Sequence, residues 1–299
     1  MESALSYRSQ PDESEAPFGV ADPPPLSPAE FDHIRRLAHQ NFGLCLKDGK
    51  QSLVVARLGK ELRRHGFRSF QQYCRHVEAD PNGEAMAELA NALTTNFTSF
   101  LREPAHFEFL RTNFVGALAD KSAVEVWTAA CSTGEEPYSI LFTLLEAMGP
   151  NAAVRILATD ISTRALRAAS AAVYDAAQVE ALPAGWPQKY FLRGNGKWQG
   201  SYRVKAEYRQ RVQFQRFNLI SSPLPARKLP AVFCRNVAIY FDKPTQAAVV
   251  KRLASVLSPG GYIFIGHSES LAGVDHNLEY VRPALYRTAG KGLEWLSKK

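Results

Sequence analysis

The chain has few sulfur residues and none of the common spacings that hold metals or disulfides. Its four cysteines, Cys45, Cys74, Cys131 and Cys234, are dispersed and form no CxxC pair. That argues against a disulfide framework and a zinc site, and predicts reduced thiols in a cytoplasmic protein. No apolar run approaches membrane-spanning length, and the N-terminus has no apolar signal core after a basic start. Membrane insertion is therefore not expected. There is no P-loop lysine, no Ser–His–Asp order and no dinucleotide turn of three spaced glycines. What remains is a chain of 299 residues, 45% hydrophobic, with a net charge of +7. It is long enough for two domains, and its charge suggests an acidic partner surface or nucleic acid without deciding between them.

Residues 1–26 hold Ser, Glu, Asp and the prolines Pro11, Pro17, Pro23, Pro24 and Pro25, the composition of a disordered tail. Order is predicted from Ser27-Pro-Ala-Glu30, a capping box with Pro at the first helical position. From there to residue 95 the apolar spacing is helical. Phe31, Ile34, Leu37 and Ala38 form a first stripe, Leu53, Leu58 and Leu62 a second that stops at Gly66. Ser69 caps a third helix with Phe70, Tyr73 and Val77 inward, and Met86, Leu89, Ala90 and Leu93 mark a fourth. Residues 96–120 are a joining loop and helix. From 121 to 299 strands near 124–130, 154–159, 230–237 and 261–266 alternate with helices near 135–148, 163–173 and 244–257, which predicts a mostly parallel sheet. A turn-rich insert at about 190–217, with Tyr202–Val204 and Val212–Phe217 as short strands, is expected to form a small antiparallel hairpin on the sheet edge.

The most informative stretch is Val124-Glu-Val-Trp-Thr-Ala-Ala-Cys-Ser-Thr-Gly-Glu-Glu-Pro-Tyr-Ser139. It reads as a buried strand, a turn of small residues and a helix start. Ala129, Ala130, Ser132 and Gly134 leave room for a ligand against the backbone. Glu135 and Glu136 open the helix, with Pro137 in its first turn. Acid at that terminus repels a pyrophosphate and suits a ligand with an amino group and a ribose, such as S-adenosylmethionine (SAM). The alternative is an ordinary strand–turn–helix with an acidic cap. A second apolar strand ends at Asp160, at the offset where an acid receives ribose hydroxyls in a nucleotide-binding βαβ unit, and Ser162 follows as an N-cap.

Three further segments carry polar groups in apolar surroundings. Asn96, Thr98 and Arg102 lie among Phe97, Phe100 and Leu101 between the helical part and the sheet, where ligands often bind; they either face the ligand or cap the next helix. Asn236 stands at the end of the 230–237 strand with Tyr240 after it, and Asn218 and Leu219 follow Phe217; each asparagine is either a turn residue or part of the cleft. On the second helix Arg57, Lys60 and Arg64 share a face with Arg63 on its flank, either a solvated face or a docking face for an acidic helix.

Taken together, Asn96-x-Thr98-x-x-x-Arg102-Glu, Ala130-x-Ser-Thr-Gly-Glu-Glu-Pro-Tyr-Ser139, Ala158-x-Asp160-Ile, Phe217-Asn-Leu219, Phe233-Cys-Arg-Asn-Val237 with Ile239-Tyr-Phe241, and Gly266-His-Ser-Glu269 resemble the chemotaxis receptor methyltransferases. The resemblance covers about residues 30–289. It implies a Rossmann-like SAM-dependent α/β methyltransferase sheet with a small antiparallel β-subdomain, preceded by an all-α domain. It implies methyl transfer from SAM to receptor glutamates, with Arg102 and Tyr240 at the methyl-transfer site. Asn96, Thr98, Arg102, Glu135, Glu136, Asp160, Asn218, Leu219, Asn236 and Val237 are then cofactor contacts, Glu136 being preferred within its pair. Arg57, Lys60 and Arg63 match the basic helix that meets the receptor's methylation helices. The glycine-containing loop around Lys197 and Trp198 looks like that of members tethered by a receptor C-terminal peptide. A cytoplasmic monomer is expected. Cys131 and Ala238 depart from the usual residues, both by tolerable size. Two other readings are a nucleic-acid methyltransferase and a non-catalytic adaptor. The first lacks a Pro-Pro after Asn236 and an aromatic-rich surface, and the intact polar motifs argue against the second.

Overall fold

The computed structural model describes residues 23–290 other than 82, 95 and 119–122. The predicted tail over 1–26 thus falls, for residues 1–22, outside the described residues, as does the chain end after 290.

Four helices open the chain: α1 (Pro28–Phe42), α2 (Gln51–His65), α3 (Phe70–Ala79) and α4 (Glu84–Leu93). The capping box forms as the sequence dictates. Ser27 Oγ accepts the Glu30 N–H at 3.3 Å, and Glu30 Oε2 accepts the Ser27 N–H at 3.0 Å. Ser69 Oγ caps α3 by accepting from Gln72 N at 3.2 Å. The apolar stripes of α1, α3 and α4 are buried as predicted; in α2 Val54 is buried and Leu53 only half-buried. α1 stops at Gly43, whose φ of 72° is left-handed. A Cβ there would lie 2.8 Å from the side-chain ends of Ile220 and Thr245, so glycine suits both the left-handed turn and the close approach of the bundle to the sheet.

Next come α5 (Pro104–Phe109), a π-helical turn (Leu110–Phe114) and α6 (Val115–Ala117). The sheet follows with β1 (Ala123–Thr128), α7 (Glu135–Met148), β2 (Ala153–Asp160) and α8 (Thr163–Ala171). After these come β3 (Val173–Asp175), α9 (Ala176–Glu180), α10 (Trp186–Tyr190), β4 (Phe191–Arg193), β5 (Ser201–Val204) and α11 (Ala206–Arg209). The described residues close with β6 (Val212–Arg216), β7 (Leu229–Phe233), α12 (Lys243–Ser255), β8 (Leu257–Phe264), β9 (Leu278–Arg282) and β10 (Leu285–Thr288). The main sheet has the order β6-β2-β1-β7-β8-β10-β9, and a separate sheet has β3-β5-β4. β1 pairs in parallel with β2 through Val126↔Ile156 and with β7 through Val126↔Ala231. Its neighbours therefore connect to opposite sides, and the crevice lies beyond the carboxyl ends of β1, β2 and β7.

Two expectations need correction. Val212–Phe217 does not form a hairpin with Tyr202–Val204. Val212–Arg216 is instead the edge strand of the main sheet, parallel to β2 through Ala158↔Phe214. The antiparallel partners of β5 are β3 and β4, so the small sheet reaches back to Val173, at the end of a predicted helix. Alternation of apolar and polar residues reports one covered face and says nothing of which strand lies alongside. The sheet also ends in an unpredicted antiparallel pair, β9 and β10. Apolar residues pack on both faces. One cluster joins the helical bundle to Trp127, Leu157 and Ile263; the other joins α7 and the small sheet to Val126, Ile156 and Phe264.

Candidate active-site cleft

A cleft enclosing about 980 Å³ of space, open mouth included, sits at the carboxyl ends of β1, β2 and β7. Its walls come from both halves of the chain. Phe42, Leu44, Leu93 and Thr94 belong to the helical bundle, and Ala129, Ala130, Ser132 and Ile161 to the sheet. Of the residues singled out in the sequence, Asn96, Thr98, Arg102, Glu136, Asp160, Asn218, Leu219, Asn236, Val237 and Tyr240 line it.

Glu135 does not. Its carboxylate accepts from Thr133 Oγ1 at 2.7 Å and Gln178 Nε2 at 3.3 Å, tying the turn to the small subdomain. Successive residues of a helix start point about 100° apart, so only one of the pair can face the cleft. Gly134 also faces away. A Cβ on it would lie 2.8 Å from the Tyr174 hydroxyl, so this glycine serves packing against β3, not ligand approach.

Asp160 ends β2 and is buried. Its Oδ2 accepts Ser132 N–H at 2.8 Å and its Oδ1 accepts Ser162 N–H at 2.9 Å. Each carboxylate oxygen has two acceptor positions, so lone pairs remain for hydroxyls. Burial pushes its pKa up, opposed by the backbone N–H groups of Ser162 and Ser132. Glu136 is deeper in the charge network. Thr128 Oγ1 donates to its Oε1 at 2.5 Å and Arg235 Nη1 to its Oε2 at 2.8 Å.

Asn96 and Thr98 form the cleft's interdomain lip. Asn96 Nδ2 reaches Ser162 Oγ at 3.4 Å, and its carbonyl accepts from Ser132 Oγ at 3.1 Å. Arg102 donates from Nη1 to Phe97 O at 3.1 Å, with its guanidinium 5.8 Å from the Phe97 ring centroid. Phe97 is 76% exposed, and Tyr240 is also exposed at the cleft's edge. Asn218 lines the cleft, but its amide is engaged elsewhere. Nδ2 donates to Asn41 O at 2.6 Å and Oδ1 accepts from Ile220 N at 3.0 Å. It thereby fastens the end of α1 to the sheet, with buried Leu219 beside it.

Three residues of this site were quoted in motifs without a role. Arg235, its side chain 2% exposed, lies 3.0 Å from Glu103 Oε2 and bonds Glu136. Burial raises the cost of ionising Glu103, yet the Arg235 charge holds its carboxyl below the usual range. Glu269 accepts three N–H bonds, from Asn236 at 2.9 Å, Ile239 at 3.2 Å and Gly266 at 2.6 Å, and so shapes the turn bearing Asn236 and Tyr240. A charged residue in an otherwise apolar strand end was the available signal for Arg235. Although no metal spacing occurs in sequence, Glu103, His106 and His267 bring ligand atoms within 4.8 Å of one another. Arg235 already pairs with that carboxylate.

The predicted docking residues lie apart. Lys60 and Arg63 are exposed on α2. Arg57 donates to Leu93 O at 2.5 Å, at the cleft wall. Arg64 pairs with Glu61 at 2.8 Å and Glu88 at 2.5 Å. Among the described residues no helix is long and apolar enough to cross a membrane.

Residues 29–94 match the model of the CheR methyltransferase all-alpha domain, and residues 96–286 match that of the CheR methyltransferase SAM binding domain. The chain is 40% identical over 262 residues to chemotaxis protein methyltransferase 2 of Pseudomonas aeruginosa, covering 87% of this chain and 93% of that protein. It is 41% identical over 261 residues to a chemotaxis protein methyltransferase of Klebsiella aerogenes, covering 86% and 88%. A third such protein, from Salmonella typhimurium, is 39% identical over 254 residues, covering 83% and 86%. Helical bundle, parallel sheet and acid-lined cleft thus occur in one chain that belongs to the CheR methyltransferase family and carries its SAM-binding domain.

Proposed function

We propose that the protein transfers a methyl group from SAM to glutamate side chains of chemoreceptors, giving glutamyl methyl esters. The observation that carries this reading is the meeting of buried Glu136 and Asp160 with Arg102 and Tyr240 in one cleft. The acids suit the amino and ribose ends of SAM. Asn96, Thr98, Asn218, Leu219, Asn236 and Val237 enclose the remainder, with Asn218 acting through its hold on α1. SAM supplies an activated sulfonium methyl.

The chain's own task is then positioning. A glutamate carboxylate is already ionised at neutral pH, so no strong base is required. Arg102 orients the incoming carboxylate through charge-assisted hydrogen bonds, and Tyr240 shapes its approach. Seating the substrate carboxylate in the cleft removes water from the nucleophile.

Residues 27–95 are assigned to receptor docking, 96–120 to the link and 121–299 to methyl transfer. Lys60 and Arg63, together with Arg57, present the charge that an acidic methylation helix would meet. A receptor C-terminal peptide would add to an edge strand of the small sheet, β3 or β4. The proposed setting is cytoplasmic and monomeric, without nucleic-acid substrates. The deciding test is incubation with methyl-labelled SAM and receptor-bearing membranes. Alkali-labile label on receptor glutamates is expected. Label on nucleic acid, or no transfer despite SAM binding, would overturn the proposal.

A further inference from the structure

Six non-glycine residues among those described hold φ in the left-handed region, and four, Leu101, Glu103, Ser132 and Asn236, lie in or beside the cleft. Leu101, at φ 51°, and Glu103, at φ 61°, flank Arg102 on both sides. A backbone held this way persists only where its surroundings over-determine it. Leu101 is held by its N–H, which donates to Ser139 Oγ at 2.9 Å. The other side is held by Arg235. Its Nη2 donates to the Arg102 carbonyl at 2.5 Å and lies 3.0 Å from Glu103 Oε2. Its Nη1 donates to Glu136 Oε2 at 2.8 Å.

We infer that Arg235 is a positioning residue that sets the register between the two halves of the reaction site. One buried guanidinium grips Glu136, at the cofactor's amino-acid end, and the main chain of Arg102, at the substrate end. Its rigid fork fixes the separation of these partners, which a lysine ammonium on a flexible stem does not. Arg235 itself need touch neither cofactor nor substrate. Loss of the clamp lets the Leu101–Glu103 backbone relax, and Arg102 then no longer faces the cleft correctly. This inference rests on the proposed orienting role of Arg102.

The test uses the full chain, with SAM affinity measured by calorimetry and methylation followed in single turnovers. Glu103→Gln removes one arm of the clamp and should slow turnover at least about tenfold while SAM affinity stays within about twofold. Arg235→Lys should lower both SAM affinity and turnover by about tenfold or more. In Arg102→Ala, adding Glu103→Gln should slow turnover no further, because both changes remove the same function. Multiplying losses in that double variant would overturn the inference, as would a folded Arg235→Lys protein with normal SAM affinity and turnover. If Arg235→Lys does not fold, the Glu103→Gln cycle decides. Full turnover in Arg102→Ala alone would instead remove the orienting role, leaving the hold on Glu136 to be judged by SAM affinity in Arg235→Lys.

Discussion

The cleft and the basic face of α2 are made from the same charged residue types and differ in physical character. In the cleft, Arg235 and Glu136 are buried and Glu103 is half-buried, and each charge has a near neighbour of opposite sign. Taking one partner away there leaves an uncompensated buried charge, which is strongly destabilising. On α2, Lys60 and Arg63 are exposed, where isolated pairs contribute little and salt screens what remains. Arg57 stands between these cases, since it belongs to the basic helix and bonds the cleft wall at Leu93. Changes in the cleft should therefore alter chemistry or cofactor affinity, and changes on the outer helix should alter encounter.

The sharpest contrast should come from Arg102. Arg102→Ala should cut the methylation rate on the order of a hundredfold, because orientation of the nucleophile is lost. SAM affinity should fall much less, and lysine should restore activity only in part because it lacks the planar fork. Rate assays at saturating SAM check this, and an unimpaired rate would erase the distinction between cleft and surface on the substrate side.

His106 lies just behind the cleft and breaks the comparison in a second way, through pH. Burial, helped by the Arg235 charge, lowers its pKa from 6.5 to about 3. The folded protein thus keeps it neutral while the unfolded chain binds a proton below pH 6.5, so stability falls as pH drops from there toward 3. Between pH 7 and pH 5 this single group should remove about 2 kcal/mol of stability. Denaturant titrations of the natural protein and His106→Leu should show that part of the pH slope missing in the variant. Equal slopes would place the histidine in water when folded.

Asp160→Ala should weaken SAM binding by about tenfold or more, since hydrogen bonds to a charged group contribute roughly 1.5–3 kcal/mol each. The pKa of Asp160 is raised, chiefly by burial. SAM affinity should accordingly decline on acidification at a higher pH than an ordinary aspartate would give, and calorimetry across the acid range would reveal it.

The smallest effects belong to α2. Lys60→Ala with Arg63→Ala should raise the receptor concentration needed by several-fold and flatten its salt dependence, with SAM affinity unchanged. Adding Arg57→Ala should bring a further loss that salt does not mimic, because the Leu93 carbonyl loses its donor. A triple variant that methylates receptor normally at low salt would show that α2 is only a solvated face.

Much of the plan was readable in one dimension. Ser27 and Glu30 cap α1 through their own side chains, and Gly66 ends α2, because such signals act over three or four residues. The strand–turn–helix from Val124 and the acid at Asp160 were legible for the same reason. Ten residues that the family resemblance implies as site residues, from Asn96 to Tyr240, line the cleft, whereas spacing alone left several of them open. What local pattern could not decide was direction and partnership. Glu135 and Glu136 are neighbours, yet the turn of α7 sends one to Gln178 and the other to Arg235. Val212–Arg216 carries strand alternation, but its pairing with β2 instead of β5 depends on which edge the packed sheet leaves open. Arg235 looks like any polar residue after a strand, and only burial between Glu103 and Glu136 gives it a role. Periodicity and capping are short-range properties of the chain, whereas charge pairing and strand partnership arise between segments tens to more than a hundred residues apart, and the tertiary structure alone brings those together.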